Sequence, residues 1–353
     1  MNLRKIFYRI HKYLAIIFFI PLIVIGFSGS VLVYKTEFDN LIMPNVVSVT
    51  PGGQRVKFDD MARNINNTYI NHEIVGWLIN TDNTKSDRVY LIEHNDTQWK
   101  SIYIDQYTGK IMDKLKPHDS YLSDIILEIH DNLLLEQNGR IMVGILGLIM
   151  FFIGVSGFVI YNRFWINLFK LRFKNIAVAM TDIHKFIGVW ASALLFIIGL
   201  TGSWWALNFL FKQAGQIDEN FRINEKIYNK NLSIDELFEK SQIDFDGFIP
   251  YYISYPFYID RNITFYGMNK NQNFLHHQYS NQVSYDKQSG KLIEIKNIEN
   301  AKISDRFLST FRKAHFGYYN EVTKFIWFLV GLTPFMLSIT GIYLWLKRKK
   351  IRK

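Results

Sequence analysis

The chain has no cysteine, and that absence closes several routes at once. Thiol catalysis, disulfides, iron–sulfur clusters and haem held by thiolate or attached covalently are all excluded. Charge is missing locally as well: residues 13–34, 141–161, 186–211 and 325–346 contain no Asp, Glu, Lys or Arg. At a rise of 1.5 Å per residue, each run can cross a hydrocarbon core of roughly 30 Å. Pro21 and Pro334 lie inside two of the runs, which membrane helices tolerate because neighbours re-satisfy the freed carbonyls. No nucleotide-binding fingerprint occurs, so the chain is not expected to bind NAD(P)H or flavin itself. The first apolar run is too long for a signal peptide and lacks a clear small-x-small cleavage pattern after it, so it reads as a retained helix.

What is present is unevenly distributed. Mean hydropathy is near zero, yet the apolar residues are clumped into those four runs. The net charge of +10 gathers at their ends: Arg4, Lys5, Arg9 and Lys12 before the first; Arg163, Lys170, Arg172, Lys174 and Lys185 between the second and third; and the tail from Lys347 to Lys353, basic except at Ile351. The positive-inside rule puts these three clusters in the cytoplasm, which leaves large loops at about 35–140 and 212–324 outside. Charge that hugs helix ends argues against nucleic-acid binding.

The chain also repeats itself. His11 to Ser30 reads HKYLAIIFFIPLIVIGFSGS, and His184 to Ser203 reads HKFIGVWASALLFIIGLTGS. Later landmarks recur in the same order. Phe58-Asp59-Asp60-Met61 is echoed by Ile234-Asp235-Glu236-Leu237, and Tyr103-Ile104-Asp105-Gln106-Tyr107-Thr108-Gly109-Lys110 by Ser284-Tyr285-Asp286-Lys287-Gln288-Ser289-Gly290-Lys291. Ile129-His130 is echoed by Ala314-His315, and Gly154-Val155-Ser156-Gly157 by Ser338-Ile339-Thr340-Gly341. The chain is thus two copies of one unit: helix, insert, helix.

Each insert has the same coarse order. A short helix at 58–67 or 233–241 comes first, the second with Ser233 and Glu236 as a capping box. Strands follow at 88–94 and 99–105, or 248–257 and 262–268, then a turn with Gly109 or Gly290 suited to positive φ. A helix at about 120–134 or 303–314 leads back to the next apolar run. The pattern predicts two small α+β domains. The aromatic stretch from Tyr251 to Tyr258 reads as a strand packing on both faces, with a docking surface for an organic ligand as the alternative.

Four of the nine histidines stand at equivalent positions beside the runs. His11 and His184 lie at the inner ends of the first and third; His130 and His315 precede the second and fourth on the outer side. An interfacial ring among headgroups accounts for one such histidine, but not for two recurring pairs, and ionisable groups near spans are functional candidates. Neutral imidazole is a standard axial ligand of haem iron. Repeats pointing the same way are related by an axis along the membrane normal, which would oppose His11 to His184 and His130 to His315. Two ligands per level suit a six-coordinate haem and are too few for tetrahedral zinc. Gly29 lies 18 residues, or five turns, after His11, on the same face, as does Gly202 after His184. With Gly26 and Gly199 one turn earlier, and Gly157 and Gly341 at the inner level, these glycines leave room for a macrocycle or let helices pack closely; both can hold. Arg9, Lys12, Lys174 and Lys185 could neutralise propionates, although topology explains them equally. Trp204 and Trp205 read as interfacial anchors. The remaining His72, His94, His118, His276 and His277 read as ordinary insert histidines; adjacent His276 and His277 would point to opposite faces of a strand.

These residues resemble the PepSY-associated transmembrane-helix family, which includes inner-membrane ferrisiderophore reductases of Gram-negative bacteria. The likeness covers nearly the whole chain. It rests on Ile10-His11-Lys12-Tyr13-Leu14 with Gly26 and Gly29, on the PepSY-like turn from Ile104 to Lys110, and on Ile129-His130-Asp131-Asn132-Leu133-Leu134. It continues through Asp182-Ile183-His184-Lys185-Phe186-Ile187-Gly188, and through Ala314-His315-Phe316-Gly317 before Ile339-Thr340-Gly341-Ile342-Tyr343-Leu344-Trp345. Lys12 and Tyr13 depart from the arginine and tryptophan often found there, and Ser289 from the usual threonine. The resemblance implies two haem b groups with His11, His184, His130 and His315 as axial ligands, placement in the bacterial inner membrane, and reduction of Fe(III)-siderophore in the periplasm. An unidentified cytoplasmic or membrane electron donor is implied with it.

The expected fold is an integral membrane α-helical bundle of four TM helices in two parallel internal repeats, with two periplasmic α+β PepSY-like domains. The expected divisions are TM helix 1 with its cytoplasmic N-terminus (1–34), the first domain (35–140), TM helix 2 (141–161), a cytoplasmic loop (162–185), TM helix 3 (186–211), the second domain (212–324) and TM helix 4 with the basic tail (325–353). Two other functions fit the same residues: a permease for the iron chelate, and a non-enzymatic PepSY sensory or inhibitory membrane module.

Overall fold

A computed structural model describes residues 3–161, 169–213 and 222–351. Arg163, Arg352 and Lys353 of the basic clusters, and residues 214–221 of the second insert, lie outside the described residues. In chain order the elements are α1 (Leu3–Val33), α2 (Lys35–Ile42), α3 (Pro44–Val47), α4 (Phe58–Thr68), β1 (His72–Leu78), β2 (Asp87–Glu93), β3 (Trp99–Ile104), β4 (Lys116–Pro117), α5 (Leu122–Asn132) and α6 (Glu136–Ile160). Then follow α7 (Ile176–Gln213), α8 (Ile234–Asp244), β5 (Phe248–Ser254), β6 (Ile263–Asn269), β7 (Asn281–Tyr285), β8 (Leu292–Lys296), a short 3-10 turn (Ile298–Asn300), α9 (Ile303–Ser309), α10 (Phe311–Phe316) and α11 (Glu321–Ile351).

The chain divides into two compact units. The first, Met1–Lys35, Leu122–Gln216 and Arg312–Lys353, holds the four helices that, among the described residues, are long and apolar enough to cross a membrane: Leu3–Val33, Glu136–Ile160, Ile176–Asn208 and Glu321–Lys350. Here α6 packs on α7 and α1 on α11, with α1 also touching α6 and α7 touching α11. Glycines set the closest approaches. A Cβ on Gly26 would stand 2.7 Å from the Gly331 carbonyl oxygen, and one on Gly199 would stand 2.7 Å from that of Gly147. The third helix begins at Ile176, so His184 lies two turns inside it. The helices bearing His130 and His315 are α5 and α10, separate from the spans that follow.

The second unit, Thr36–Tyr121 and Ile217–Phe311, is built on one antiparallel sheet with strand order β4-β3-β2-β1-β5-β6-β7-β8. The two inserts, each expected to form a small α+β domain, thus share one continuous sheet. Both inserts contribute four strands, and β1 joins β5 through Gly76↔Ser254, Trp77↔Ile253 and Leu78↔Tyr252. The physical reason is edge satisfaction: each half alone would expose a strand edge with unpaired backbone groups, and pairing β1 with β5 removes both edges. The core beneath includes Trp77, Val89, Leu91, Ile102, Ile253, Phe265 and Val283 from the strands, with Phe58, Met61 and Ile65 from α4 and Leu237 from α8.

The two helices over this core cap one another. Asp59 accepts from the Ile234 N–H at 2.9 Å and from the Ser233 hydroxyl, at the start of α8. Asp235 accepts from the Phe58 and Asp59 N–H groups, both at 2.9 Å, at the start of α4. Orphan amides at a helix N-terminus need such acceptors, and here each comes from the other insert. The Ser233 hydroxyl also accepts from the Glu236 N–H at 3.1 Å. Gly109 and Gly290 adopt φ of +68° and +65° in the two equivalent turns.

Candidate functional site

The four boundary histidines form two couples within the helical unit. The His11 and His184 ring centroids are 6.5 Å apart with planes at 80°. Those of His130 and His315 are 6.1 Å apart at 57°. His11 and Gly29 are 18 residues apart on α1, and Gly29 meets His130, so the couples are separated by about 27 Å along the helix axis.

Each ring is seated by a span other than its own. His11 Nδ1 lies 2.8 Å from Ser156 Oγ and 3.2 Å from the Ile153 carbonyl oxygen, on α6. His184 Nδ1 lies 2.8 Å from Thr340 Oγ1 on α11. His130 Nδ1 lies 3.0 Å from the Ile25 carbonyl oxygen and 3.2 Å from Ser28 Oγ, on α1. His315 Nδ1 lies 3.1 Å from both the Ile198 carbonyl oxygen and Thr201 Oγ1, on α7. With every Nδ1 engaged, Nε2 is the nitrogen each ring has left for a ligand.

The residue after each hydroxyl is glycine, and its missing side chain is where the ring lies. A Cβ on Gly29 would stand 2.7 Å from His130 Cε1, and one on Gly202 would stand 2.9 Å from His315 Cε1. Gly341 and Gly157 approach His184 and His11 less closely, at 3.4 and 4.0 Å. The glycines therefore serve two purposes. Gly26 and Gly199 let helices approach, while Gly29 and Gly202 admit an imidazole.

The short helices bearing the His130/His315 couple end abruptly. Leu133 and Leu134 follow α5 with φ of +56° and +59°, and Gly317 follows α10 at +71°. Left-handed backbone in two leucines is strained, and it turns the chain at once into α6. Arg140 of α6 clasps Asp131, the neighbour of His130, at 2.8 Å. At the other couple, Arg172 reaches Asp182 with Nε and Nη2 at 2.8 and 2.9 Å, two residues before His184. Trp205 lies on His315, ring centroids 5.4 Å apart, whereas Trp204 is exposed.

The other histidines hold ordinary contacts. His72 lies 3.8 Å from Glu93, and burial lowers its pKa. His94 meets Glu73 at 3.1 Å, and His118 Nδ1 meets the Trp99 carbonyl oxygen at 3.1 Å. His276 and His277 sit in the turn between β6 and β7 rather than in a strand. The first is buried against Ser309, and the second accepts from the Tyr279 N–H. Among the described residues no group of three or more His, Cys, Asp or Glu side chains is placed to hold a metal ion.

Of the site, sequence reasoning found the histidines and glycines but passed over Ser28, Ser156, Thr201 and Thr340. Their signal was available: each immediately precedes one of the repeated glycines.

Four apolar helices of spanning length, with a sheet unit formed by their connecting inserts, define a membrane protein with PepSY-type domains. The model of the PepSY-associated TM region family matches residues 8–348, and the chain belongs to that family. It is also similar to an uncharacterized protein, PA4219, of Pseudomonas aeruginosa, at 28% identity over 81 residues, which are 23% of this chain and 21% of that protein. That match spans about a fifth of the relative's length.

Proposed function

We propose that the protein is an inner-membrane b-type di-haem reductase that passes electrons across the membrane to reduce Fe(III)-siderophore to Fe(II) in the periplasm. One observation carries the reading: two couples of imidazoles, each with Nδ1 committed to a neighbouring span and ring centroids 6.5 and 6.1 Å apart. Each couple, with its Nε2 atoms left over, would suit two imidazoles holding one metal centre between them. Two protein ligands at each level suit a macrocycle that brings its own equatorial donors, and no richer ligand set stands among the described residues. When bound, a bis-imidazole haem supplies one-electron transfer and offers no open position for oxygen.

The chain's own residues hold and orient. His11 and His184 would hold the inner group, His130 and His315 the outer. The basic residues at the helix ends favour a cytoplasmic location for the His11/His184 level, with both termini inside and the sheet unit in the periplasm. In-order recurrence of motifs, the four-plus-four sheet and the matched seats of the histidines support two parallel repeats. The substrate's chemistry completes the reading: siderophore oxygens match hard ferric iron, and one added electron weakens that match so that exchange becomes easy. The electron comes from a cytoplasmic or membrane donor.

An absorption spectrum of the purified chain, oxidised and dithionite-reduced, with its haem-to-protein ratio, tests the proposal first. His130→Ala or His315→Ala should remove the outer haem and abolish ferric-siderophore reduction while the inner spectrum stays. A colourless protein, or full haem and activity in both variants, would overturn it.

A further inference from the structure

Four hydroxyls repeat one geometry around the histidines. Ser156 Oγ donates to the Ile153 carbonyl oxygen at 2.9 Å, and Thr340 Oγ1 to that of Met336 at 2.9 Å. Ser28 Oγ donates to the Val24 oxygen at 2.8 Å, and Thr201 Oγ1 to that of Ile197 at 2.7 Å. A hydroxyl has one proton. Spent on its own helix, it leaves only lone pairs toward the imidazole. A backbone carbonyl, which can only accept, stands beside Nδ1 of His11, His130 and His315 as well: Ile153, Ile25 and Ile198. At those three histidines Nδ1 therefore carries the proton and Nε2 the lone pair, and the Thr340 hydroxyl, its own proton given to the Met336 oxygen, sets the same tautomer at His184.

We infer that Ser28, Ser156, Thr201 and Thr340 are positioning residues that fix the tautomer and ring plane of the four histidines, and that they act on each haem level separately. The inference rests on the di-haem reading. Its chemistry is that of an outer-sphere partner: an acceptor on Nδ1–H makes the imidazole a stronger donor through Nε2 and fixes its orientation. A stronger donor stabilises the ferric state, so losing the acceptor raises the reduction potential. Ring orientation matters too, because the couples differ, with planes at 80° in one and 57° in the other.

The two threonines give a clean test, because valine removes the hydroxyl at nearly constant shape and serine restores it. The full-length protein is purified as wild type, Thr340→Val, Thr340→Ser, Thr201→Val and Thr201→Ser. Each is titrated spectroelectrochemically, and low-spin ferric EPR is recorded. Thr340→Val is expected to raise the potential and shift the largest g-value of the His11/His184 haem alone, and Thr201→Val those of the His130/His315 haem alone. Both serine variants return to wild-type values. If valine instead costs haem, the loss is confined to the matching level and recovered by serine. Unchanged potentials and g-values in the valine variants, equal shifts at both levels, or failure of serine to restore would overturn the inference. Wild type without haem would defeat the di-haem reading itself, a separate result.

Discussion

On the di-haem reading, adding one methyl group at four related glycines should separate the His130/His315 level from the His11/His184 level. A Cβ on Gly29 would meet His130 Cε1 at 2.7 Å and Nδ1 at 3.2 Å, and one on Gly202 would meet His315 Cε1 at 2.9 Å. Ordinary carbon contacts begin at about 3.5 Å, so the imidazoles of His130 and His315 must each retreat by roughly half an ångström or more. That retreat also stretches the hydrogen bonds from Nδ1 to the Ile25 and Ile198 carbonyls, now 3.0 and 3.1 Å. The glycines facing His11 and His184 are looser. Gly341 would place its Cβ 3.4 Å from His184, and Gly157 would place its own 4.0 Å from His11 and 3.6 Å from Ser192 Oγ. Overpacking a tight site costs about 1–3 kcal/mol; expressed wholly as ligand affinity, that is about 5- to 150-fold. Gly29→Ala and Gly202→Ala should therefore lose haem at the His130/His315 level, while Gly157→Ala keeps both and Gly341→Ala stays close to wild type. The assay is the haem-to-protein ratio of full-length protein with reduced-minus-oxidised spectra. Equal haem loss in Gly29→Ala and Gly157→Ala, or undisturbed spectra in both Gly29→Ala and Gly202→Ala, would contradict this.

The sheet unit makes its own predictions. Asp87 is fully buried, accepts from Trp77 Nε1 at 2.7 Å and the Asn80 N–H at 2.9 Å, and pairs with Arg55. Asp87→Ala should destabilise by about 3 kcal/mol, the scale for breaking a buried pair, read as a lower melting temperature; a melting point equal to wild type would contradict it. Asp59→Ala and Asp235→Ala should each cost about 1–2 kcal/mol as lost helix caps, and equal stability in wild type and both variants would dismiss the reciprocal capping. The Asp235 pKa is raised, by burial first and also by the neighbouring Asp59 carboxylate. A carboxyl with a raised folded pKa contributes most below its unfolded value, about 3.9, and loses that contribution as pH rises through the folded value. The stability deficit of Asp235→Asn should shrink as pH rises across that window; thermal melts at several pH values would show a constant or growing deficit if the sign is wrong.

Much of this was legible along the chain because it is local. Charge-free runs mark spanning helices by length alone. The turns at Gly109 and Gly290, the Ser233 cap, and strands such as 99–104 follow from short-range pattern, to within a few residues at their ends. Strands β1, β4, β7 and β8 are not marked by short-range pattern: β4 is two residues long, β8 is exposed along its whole length, and β1 takes its place from its partners on both sides. The short helices bearing His130 and His315 were expected to lead back to the spans. The sharp breaks at Leu133 and Gly317 depend on φ values that leucine does not announce.

By itself the sequence determined four apolar spans, a recurring set of motifs, and four histidines at matching stations with a hydroxyl–glycine step in each span. Tertiary structure alone decided which ring meets which step. His11 on α1 is seated by Ser156 on α6, His184 on α7 by Thr340 on α11, and His130 on α5 by Ser28 on α1. It also decided that Gly26 serves a helix contact while Gly29, one turn on, admits an imidazole, and that two inserts complete one sheet by sharing β1 and β5 and exchanging aspartate caps. Periodicity tells which face of a helix is apolar or small. It carries no information about the neighbour that face will meet, since that depends on the simultaneous packing of elements far apart in the chain.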